Sequence, residues 1–263
     1  MKKKKRKVPF KKIALYAIIL VILSGAGIYA WKWLLTLDRF KVKEILTDQD
    51  SQIDFSYLKG RNIFALDLRK ESGKILQYFP DCKRIRMVRI LPDRLYIDLI
   101  RRKPVALVQL YKTFGVDEDQ VLFDVPVGED SKDSGLPVIT GTETKIFGPK
   151  AGQKYDIKEL EVALQIIKEV GRNRVLRDYK IRKIDVPNTT HITLFIIPGT
   201  ADFDYMDSTL RNEGLEAKMS SDRIRYRVSV LANLLVAAKK EWNNIKYIDL
   251  RFREPVIKLK NAQ

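Results

Sequence analysis

The sequence has one cysteine and one histidine among its 263 residues, Cys82 and His191. A single cysteine excludes an internal disulfide framework and a cysteine-based zinc site, because both need several thiols. A single histidine excludes a multi-histidine metal centre and leaves few routes to histidine-based catalysis. No glycine-rich phosphate loop follows a predicted strand, since Gly60 is isolated. These absences weigh against most hydrolases and metalloenzymes, and they predict neither a cofactor nor a metal site.

Acidic residues are missing from the first twelve positions, which hold eight lysines and arginines. The whole chain has 50 basic and 33 acidic residues and a formal net charge of +17. Removing residues 1–12 leaves 42 basic and 33 acidic residues, a net charge of +9. About half of the net charge therefore lies in a short basic tail.

Charged residues are also absent from Ile13 to Trp31, a run of 19 residues. As a helix this run spans about 28 Å at ~1.5 Å per residue, close to the hydrocarbon thickness of a bilayer. Tyr29, Trp31 and Trp33 cluster at its C-terminal end, and aromatic rings favour the membrane interface. The pattern predicts a transmembrane helix over residues 13–35. The positive-inside rule predicts that tail residues 1–12 are cytoplasmic and that the rest of the chain is outside.

Three other interpretations of the N-terminus fit less well. A nuclear import signal or a nucleic-acid-binding arm would use the same basic run, but membrane topology explains a run that adjoins an apolar span. We therefore expect no nucleic-acid partner. A cleavable signal peptide would have a shorter apolar core followed by a small-residue site. Here the small residues Ser24 to Gly27 lie inside the apolar run, which favours an uncleaved anchor.

The first part of the outer region alternates between strand and helix patterns. The predicted order is a strand over Phe40 to Leu46, a short helix over Ile53 to Lys59, a helix capped by Asp67 and ended by Pro80, and two strands joined by the turn Leu91 to Arg94. The helix face comprises Leu68, Ser72, Ile75, Leu76 and Phe79, and the second strand turns Leu95, Ile97 and Leu99 to one side. We expect these two faces to pack together.

The pattern of residues 105–263 predicts a second unit, which mixes helices and strands. Its predicted elements are short strands over 105–111, 114–116 and 121–123, a helix opened by Asp156 and Glu159 and closed by Gly171, a hairpin over 181–186 and 191–197, a helix capped by Ser220 or Ser221, and strands over 246–252 and 256–259. Ile248, Leu250 and Phe252 are expected on one face of the penultimate strand. Only four residues follow Leu259, so the last strand is expected to lie at a sheet edge.

Four acidic residues offer the one candidate for chemistry, and they lie close together in sequence: Asp117, Glu118, Asp119 and Asp124. They could hold calcium or magnesium, but no full ligand pattern follows, so a solvated turn is the preferred interpretation. No nucleophile with a base and no convergent pair of acids can be singled out. The sequence therefore predicts a protein without catalytic activity that binds other proteins.

Several segments resemble the FtsQ/DivIB family of bacterial cell-division proteins. The matching segments are Phe40 to Ile45, Gly60 to Leu68, Met87 to Leu95, Arg102 to Ala106, Leu136 to Gly141 and Ile248 to Phe252. The resemblance implies an α+β fold with a single transmembrane helix, a POTRA domain of order β-α-α-β-β over 38–104, and a mixed α/β "β domain" over 105–263 that ends in an edge strand. The POTRA signature residues are Gly60, Asn62, Ile63, Phe64, Arg89, Pro92, Leu95, Arg102 and Pro104.

The same resemblance implies a non-enzymatic scaffold of the divisome at the septum, in the bacterial cytoplasmic membrane. Its implied partners are FtsB/DivIC-like and FtsL-like bitopic proteins and other divisome proteins, and it would link ring assembly to septal peptidoglycan synthesis. The implied partner-binding residues are Ile248, Leu250, Phe252, Val256, Ile257, Lys258 and Leu259. A partner strand can add to an exposed edge there, and the lysines can select an acidic segment. The alternatives are a bitopic cell-envelope enzyme and a POTRA-containing membrane-assembly factor.

Overall fold

The computed structural model describes residues 10–47, 54–125, 135–199 and 214–260. The chain forms two compact units. The first comprises Met1–Tyr78 and Arg84–Ile100, and the second comprises Phe79–Lys83 and Arg101–Gln263. The architecture is α+β, with one long apolar helix at the N-terminus, which confirms the predicted fold class. The acidic, glycine- and serine-containing segment over 127–135, which its composition predicts to be a loop, lies outside the described residues except for Gly135.

Helix α1 (Phe10–Thr36) contains the predicted membrane span. An 18-residue window of its segment Ala14–Thr36 has a mean hydropathy of 2.0, and no residue of that window is buried by the rest of the chain. Leucine, isoleucine and valine side chains dominate this segment, and the backbone polar groups are satisfied within the helix, as a hydrocarbon environment requires. Among the described residues it is the one helix long and apolar enough to cross a membrane.

After α1, the described residues of the first unit contain one further α-helix and a small sheet. Its elements after α1 are a 3₁₀ turn (Asp38–Phe40), β1 (Glu44–Thr47), a second 3₁₀ turn (Ser56–Leu58), α2 (Leu68–Tyr78), β2 (Cys82–Ile90) and β3 (Arg94–Arg101). The strand order is β1-β3-β2, and β1 runs parallel to β3 with Ile45 opposite Leu95. Leu95 and Ile97 are fully buried and Leu99 nearly so, so β3 has the predicted apolar face.

Most local predictions for this unit are confirmed, with two corrections. Asp67 caps α2, because its Oδ1 accepts hydrogen bonds from the amides of Arg69 and Lys70 at 3.1 Å each. The predicted strand over 40–46 begins only at Glu44, since the preceding residues form a 3₁₀ turn and Lys41 pairs instead with Asn62. Of the predicted short helix over 53–59, residue 53 lies outside the described residues, and the rest contains a single 3₁₀ turn.

In its described residues, the second unit has a large mixed sheet and two α-helices. Its elements are β4 (Ala106–Gln109), β5 (Thr113–Val116), β6 (Leu122–Asp124), β7 (Val138–Thr140), α3 (Lys158–Arg172), a 3₁₀ turn (Val175–Asp178), β8 (Tyr179–Asn188), β9 (His191–Pro198), β10 (Leu215–Met219), α4 (Ile224–Ala237), a 3₁₀ helix (Lys239–Asn244), β11 (Ile245–Asp249) and β12 (Val256–Leu259). Within the described residues, nine of these strands form one sheet of order β12-β11-β10-β9-β8-β7-β4-β5-β6.

The core of this unit lies between the helices and one face of the sheet. Alternate residues of the central strands are buried and cluster with the apolar faces of α3 and α4. The buried stripe of α4 comprises Ile224, Val228, Leu231 and Leu235, and Trp242 in the following 3₁₀ helix stacks on Tyr179 with ring centroids 5.6 Å apart. The predicted hairpin is confirmed as the antiparallel pair β8 and β9.

The predicted helix caps of the second unit are wrong. Helix α3 begins at Lys158 with Ile157 at its N-cap, while Asp156 forms an ion pair with Lys154 at 2.6 Å. Gly171 lies inside α3, which ends at Arg172.

Neither Ser220 nor Ser221 caps α4, whose N-cap is Arg223 in the left-handed conformation. Arg227 stabilises the turn before the helix, because its guanidinium donates to the Asp222 carbonyl at 2.9 Å and to the Asp222 carboxylate at 2.6 Å. The N-cap residue Arg223 itself makes no side-chain hydrogen bond to the helix amides.

Candidate partner-binding edge

Strand β12 is the outermost strand of the large sheet within the described parts of the chain. It pairs antiparallel with β11, with Val256 opposite Asp249, Ile257 opposite Ile248 and Lys258 opposite Tyr247. Val256, Ile257 and Leu259 are 48%, 38% and 41% exposed. An edge strand presents alternate N–H and C=O groups away from the sheet. The strand therefore combines main-chain pairing groups with accessible apolar side chains.

The direction of the amides along β12 follows from one hydrogen bond. The amide of Lys260, directly after the strand, donates to the carbonyl of Asn244 at 2.7 Å, on the side of β11. Amide directions alternate along an extended strand. The amides of Val256 and Lys258 therefore point toward β11, and those of Ile257 and Leu259 point away from it.

The two faces of β12 differ in chemistry. Lys258 lies with its Nζ 5.9 Å from the ring centroid of Tyr247, and Lys218 from β10 covers the same ring at 4.3 Å. Ile257 and its pairing partner Ile248 lie on the opposite face, where Ile248 is fully buried. One face of the edge is thus cationic and aromatic, and the other continues the apolar core.

An ion pair fixes the chain where β11 ends. Asp249 is nearly buried and accepts hydrogen bonds from the Arg251 amide at 3.0 Å and from the Arg251 guanidinium at 2.6 to 3.2 Å. Burial acts to raise the pKa of Asp249, but the hydrogen bonds from Arg251 outweigh it, so the pKa lies below its ordinary value. The carboxylate therefore stays ionised and holds the turn that leads into β12.

The structure corrects the placement of Phe252. The predicted strand over 246–252 ends at Asp249, and the chain then bends, which leaves Phe252 60% exposed instead of on the face of Ile248 and Leu250. Phe252 lines a cavity of about 530 Å³ between the start of α4 and the turn before β12. The other lining residues are Asp222, Arg223, Tyr226, Arg227, Arg251 and Arg253.

Sequence reasoning missed β10 and the residues of α4 that line this cavity. Strand β10 carries a simple signal, because Leu215, Ala217 and Met219 alternate with Glu216 and Lys218 and all three are buried. The exposed Tyr226 carried no such signal, since one aromatic residue on a helix surface is common. Its position beside Phe252 is set by the packing of α4 on the sheet.

The POTRA signature residues fall into separate groups. Gly60, Asn62, Ile63 and Phe64 form a continuous loop, and Gly60 has a φ of +78°, which favours glycine. Arg89 from β2 donates to the carbonyls of Ile63 at 2.7 Å and Leu66 at 2.6 Å.

The other signature residues lie elsewhere. Leu95 is in the core of the first unit, and Pro92 is in the turn between β2 and β3. Arg102 and Pro104 belong to the second unit.

The four acidic residues considered for a metal site are paired with cations. Asp117 is buried and bonds to Arg102, and its Oδ1 accepts the amides of Asp119 and Val121 at 3.0 Å each. Lys83 pairs with Asp119 at 2.7 Å, and Lys112 pairs with Asp124 at 2.7 Å. In the portions of the chain that the structure describes, no three His, Cys, Asp or Glu side chains are grouped as metal ligands would be.

Comparison with known proteins gives relatives of a single kind. A cell division protein FtsQ from Geotalea daltonii is 25% identical over 240 residues, 89% of this chain and 80% of the relative. Proteins of the same name from Koribacter versatilis and Anaeromyxobacter sp. strain K are 23% and 26% identical, over 94% and 92% of this chain and 69% and 79% of their own lengths. No protein-family model matches the chain.

Proposed function

From the premise that this chain is a distant member of the FtsQ family of cell-division proteins, we propose that it is a non-catalytic scaffold of the divisome, anchored by α1. In this proposal residues 38–104 form the POTRA domain and residues 105–263 the β domain. The basic tail is cytoplasmic, both domains are extracytoplasmic, and the protein works at the division septum. It captures FtsB/DivIC-like and FtsL-like bitopic proteins and so links ring assembly to septal peptidoglycan synthesis.

The observation that carries this proposal is the accessible edge strand β12. Its exposed apolar side chains and outward amides are the features that β-strand addition uses. Main-chain hydrogen bonds would supply affinity, and the alternating side chains would supply register. The cavity beside Phe252 and Tyr226 adds a second contact surface next to the strand, lined by arginines.

The cross-strand pattern indicates the chemistry of the partner segment. Five residues form one row across the sheet, in the order Lys183, Phe195, Glu216, Tyr247 and Lys258. Lysine ammonium groups cover both rings of this row, at 5.5 Å for Lys183 over Phe195 and 4.3 Å for Lys218 over Tyr247. An acidic residue directly across from Lys258 would pair with its ammonium group, because opposite charges directly across strands are favourable. On the other face an apolar residue fits beside Ile257.

A pair of proline variants tests the strand-addition proposal. Ile257→Pro removes an amide that points away from β11. We expect it to weaken binding of the partner's outer segment by at least about tenfold, because one main-chain hydrogen bond to the partner is lost and the proline ring disturbs the pairing geometry. Ile257→Ala is the matched control and should bind nearly as well as the wild type, since main-chain pairing tolerates side-chain changes. Binding is measured with the full chain in detergent, and circular dichroism checks folding.

Lys258→Pro distinguishes edge pairing from a general loss of the hairpin. Its amide points toward β11, so this variant should lower the stability of the β11–β12 hairpin as well as partner capture. Undiminished binding by folded Ile257→Pro protein would move the interface away from β12, to the first unit or to the membrane helix. In that case the family assignment would stand, but the site would be wrong.

A further inference from the structure

The end of helix α1 is capped by a residue from the folded first unit. The last four carbonyls of a helix lack partners inside the helix. The Asn62 amide nitrogen donates to the carbonyl of Leu34 at 3.2 Å and to that of Leu35 at 2.9 Å. Thr36 supplies a third bond, from its hydroxyl to the carbonyl of Trp33 at 2.7 Å. Asn62 itself is 9% exposed, so this cap is a buried polar contact.

The loop that carries Asn62 is held in place from its other side. The Asn62 side-chain oxygen accepts the Phe64 amide at 2.9 Å, which fixes the orientation of its nitrogen toward α1. The Ile63 amide donates to the Phe40 carbonyl at 2.8 Å, and Arg89 binds the Ile63 carbonyl at 2.7 Å. The loop thus connects the sheet of the first unit to the end of the membrane helix through an unbroken set of hydrogen bonds.

This arrangement sets the depth of Phe64 relative to the membrane. The Phe64 ring centroid lies 6.2 Å from that of Trp31 and 5.2 Å from that of Phe40. Trp31 lies five residues before the end of α1, or about 7.5 Å along the helix axis at ~1.5 Å per residue. Trp31 is 54% exposed in the segment where Tyr29 and Trp33 mark the interface. Phe64 therefore lies within 6.2 Å of a ring of this aromatic cluster.

We propose that the loop Asn62 to Phe64 docks the first unit on the lipid surface at which α1 ends. Asn62 acts as a positioning residue that locks the loop to the helix end, and Phe64 enters the layer of lipid headgroups beside Trp31. The ligand of this surface is the bilayer interface, which accommodates aromatic rings next to a spanning helix. The first unit is then held at a fixed height on the membrane. This inference uses no residue of β12 and does not depend on the proposed partner.

The test measures the surroundings of position 64 in the full-length protein in lipid vesicles. A nitrobenzoxadiazole label is attached to Phe64→Cys in a Cys82→Ala background. Its fluorescence emission should be blue-shifted relative to the label in water, and it should be quenched by lipids with a spin label at the headgroup. The control is the same label on Tyr78→Cys, at the far end of α2, where the native side chain is 79% exposed. Tyr78→Cys should show neither effect. An emission at position 64 that matches water would overturn the proposal.

A second variant tests the role of Asn62 without changing the shape of the side chain. Asn62→Asp keeps the acceptor for the Phe64 amide but replaces the donor with a carboxylate that faces the carbonyl end of α1, where negative charge is unfavourable. The label at position 64 should then lose its blue shift and its quenching, while circular dichroism and the label at position 78 stay unchanged. Retention of quenching in folded Asn62→Asp protein would show that Asn62 does not hold the loop at the membrane.

Discussion

The two outer strands of the large sheet are built in opposite ways. At one end, Leu122 and Phe123 of β6 are buried, and a following segment covers the strand: the Leu122 amide donates to the Gln153 carbonyl at 3.1 Å, and the Gly152 amide donates to the Leu122 carbonyl at 2.7 Å. At the other end, every side chain of β12 is exposed. Since edge strands invite unwanted pairing, the covered edge is the ordinary solution, and the accessible edge is the feature on which the partner-binding proposal rests.

The cover over β6 depends on a close approach that only glycine allows. Gly152 has a φ of +81°, and a Cβ at this position would lie 2.8 Å from the Cβ of Pro80. Because both constraints exclude an ordinary side chain, the covering segment is specified by its backbone. At β12 the corresponding protection is limited to charge, from Lys258 and Lys260, which permits an acidic partner while discouraging a second copy of the same strand.

The largest expected effect on stability is at Arg102, near the covered edge strand β6. Its guanidinium pairs with buried Asp117, which also holds the turn that leads into β6. Arg102→Leu would leave an unpaired buried carboxylate, so we expect a loss of about 3–5 kcal/mol in the free energy of unfolding.

Chemical unfolding of the full chain in detergent measures this effect. Lys112→Leu is the control, because the Lys112–Asp124 pair is about half exposed and should contribute at most ~1 kcal/mol. Equal losses in the two variants would contradict the structural role assigned to the buried pair.

The second prediction compares the two edges by making the same change, leucine to alanine, in each edge strand. Leu122→Ala removes a fully buried side chain from β6 and should lower the free energy of unfolding by about 2–5 kcal/mol. Leu259→Ala removes a side chain that is 41% exposed on β12 and should cost less than about 1 kcal/mol. Thermal and chemical unfolding of both variants under identical conditions give the comparison. Similar losses would mean that β12 is covered in the folded protein.

The smallest effect concerns pH at the accessible edge. The pKa of Asp249 is lowered in the folded chain, so its contribution is present above the unfolded-state value of about 3.9 and is lost as the pH falls through the folded-state pKa. Asp249→Asn should therefore be less stable than the wild type at pH 7, and the difference should shrink below about pH 4. Urea midpoints measured from pH 7 to pH 3 check this. A constant difference would show that the ion pair with Arg251 does not act through ionisation.

Local features of the fold could be predicted because short segments determine them. The apolar run of α1, the Asp67 cap, the buried face of β3 and the β8–β9 hairpin all follow from spacing along the chain. The caps of α3 and α4 could not, because the capping residues compete with other local contacts. Asp156 pairs with Lys154 while Ile157 takes the N-cap position of α3, and Arg223 takes the N-cap position of α4 after a turn in which Asp222 is bonded to Arg227.

Composition and motifs read in order along the chain are enough to predict the candidate membrane span, the α+β class, the resemblance to division proteins and an edge position for β12. The covered edge could not be predicted in this way, because nine strands distant in sequence must first be ordered in the sheet to place β6 at its other end beneath a covering segment. Phe252 is a second example. The alternation of residues predicts it on a buried face, but the strand ends at Asp249, which pairs with Arg251, and the Phe252 ring is exposed. Periodicity specifies which residues can share a face, and packing decides where that face stops.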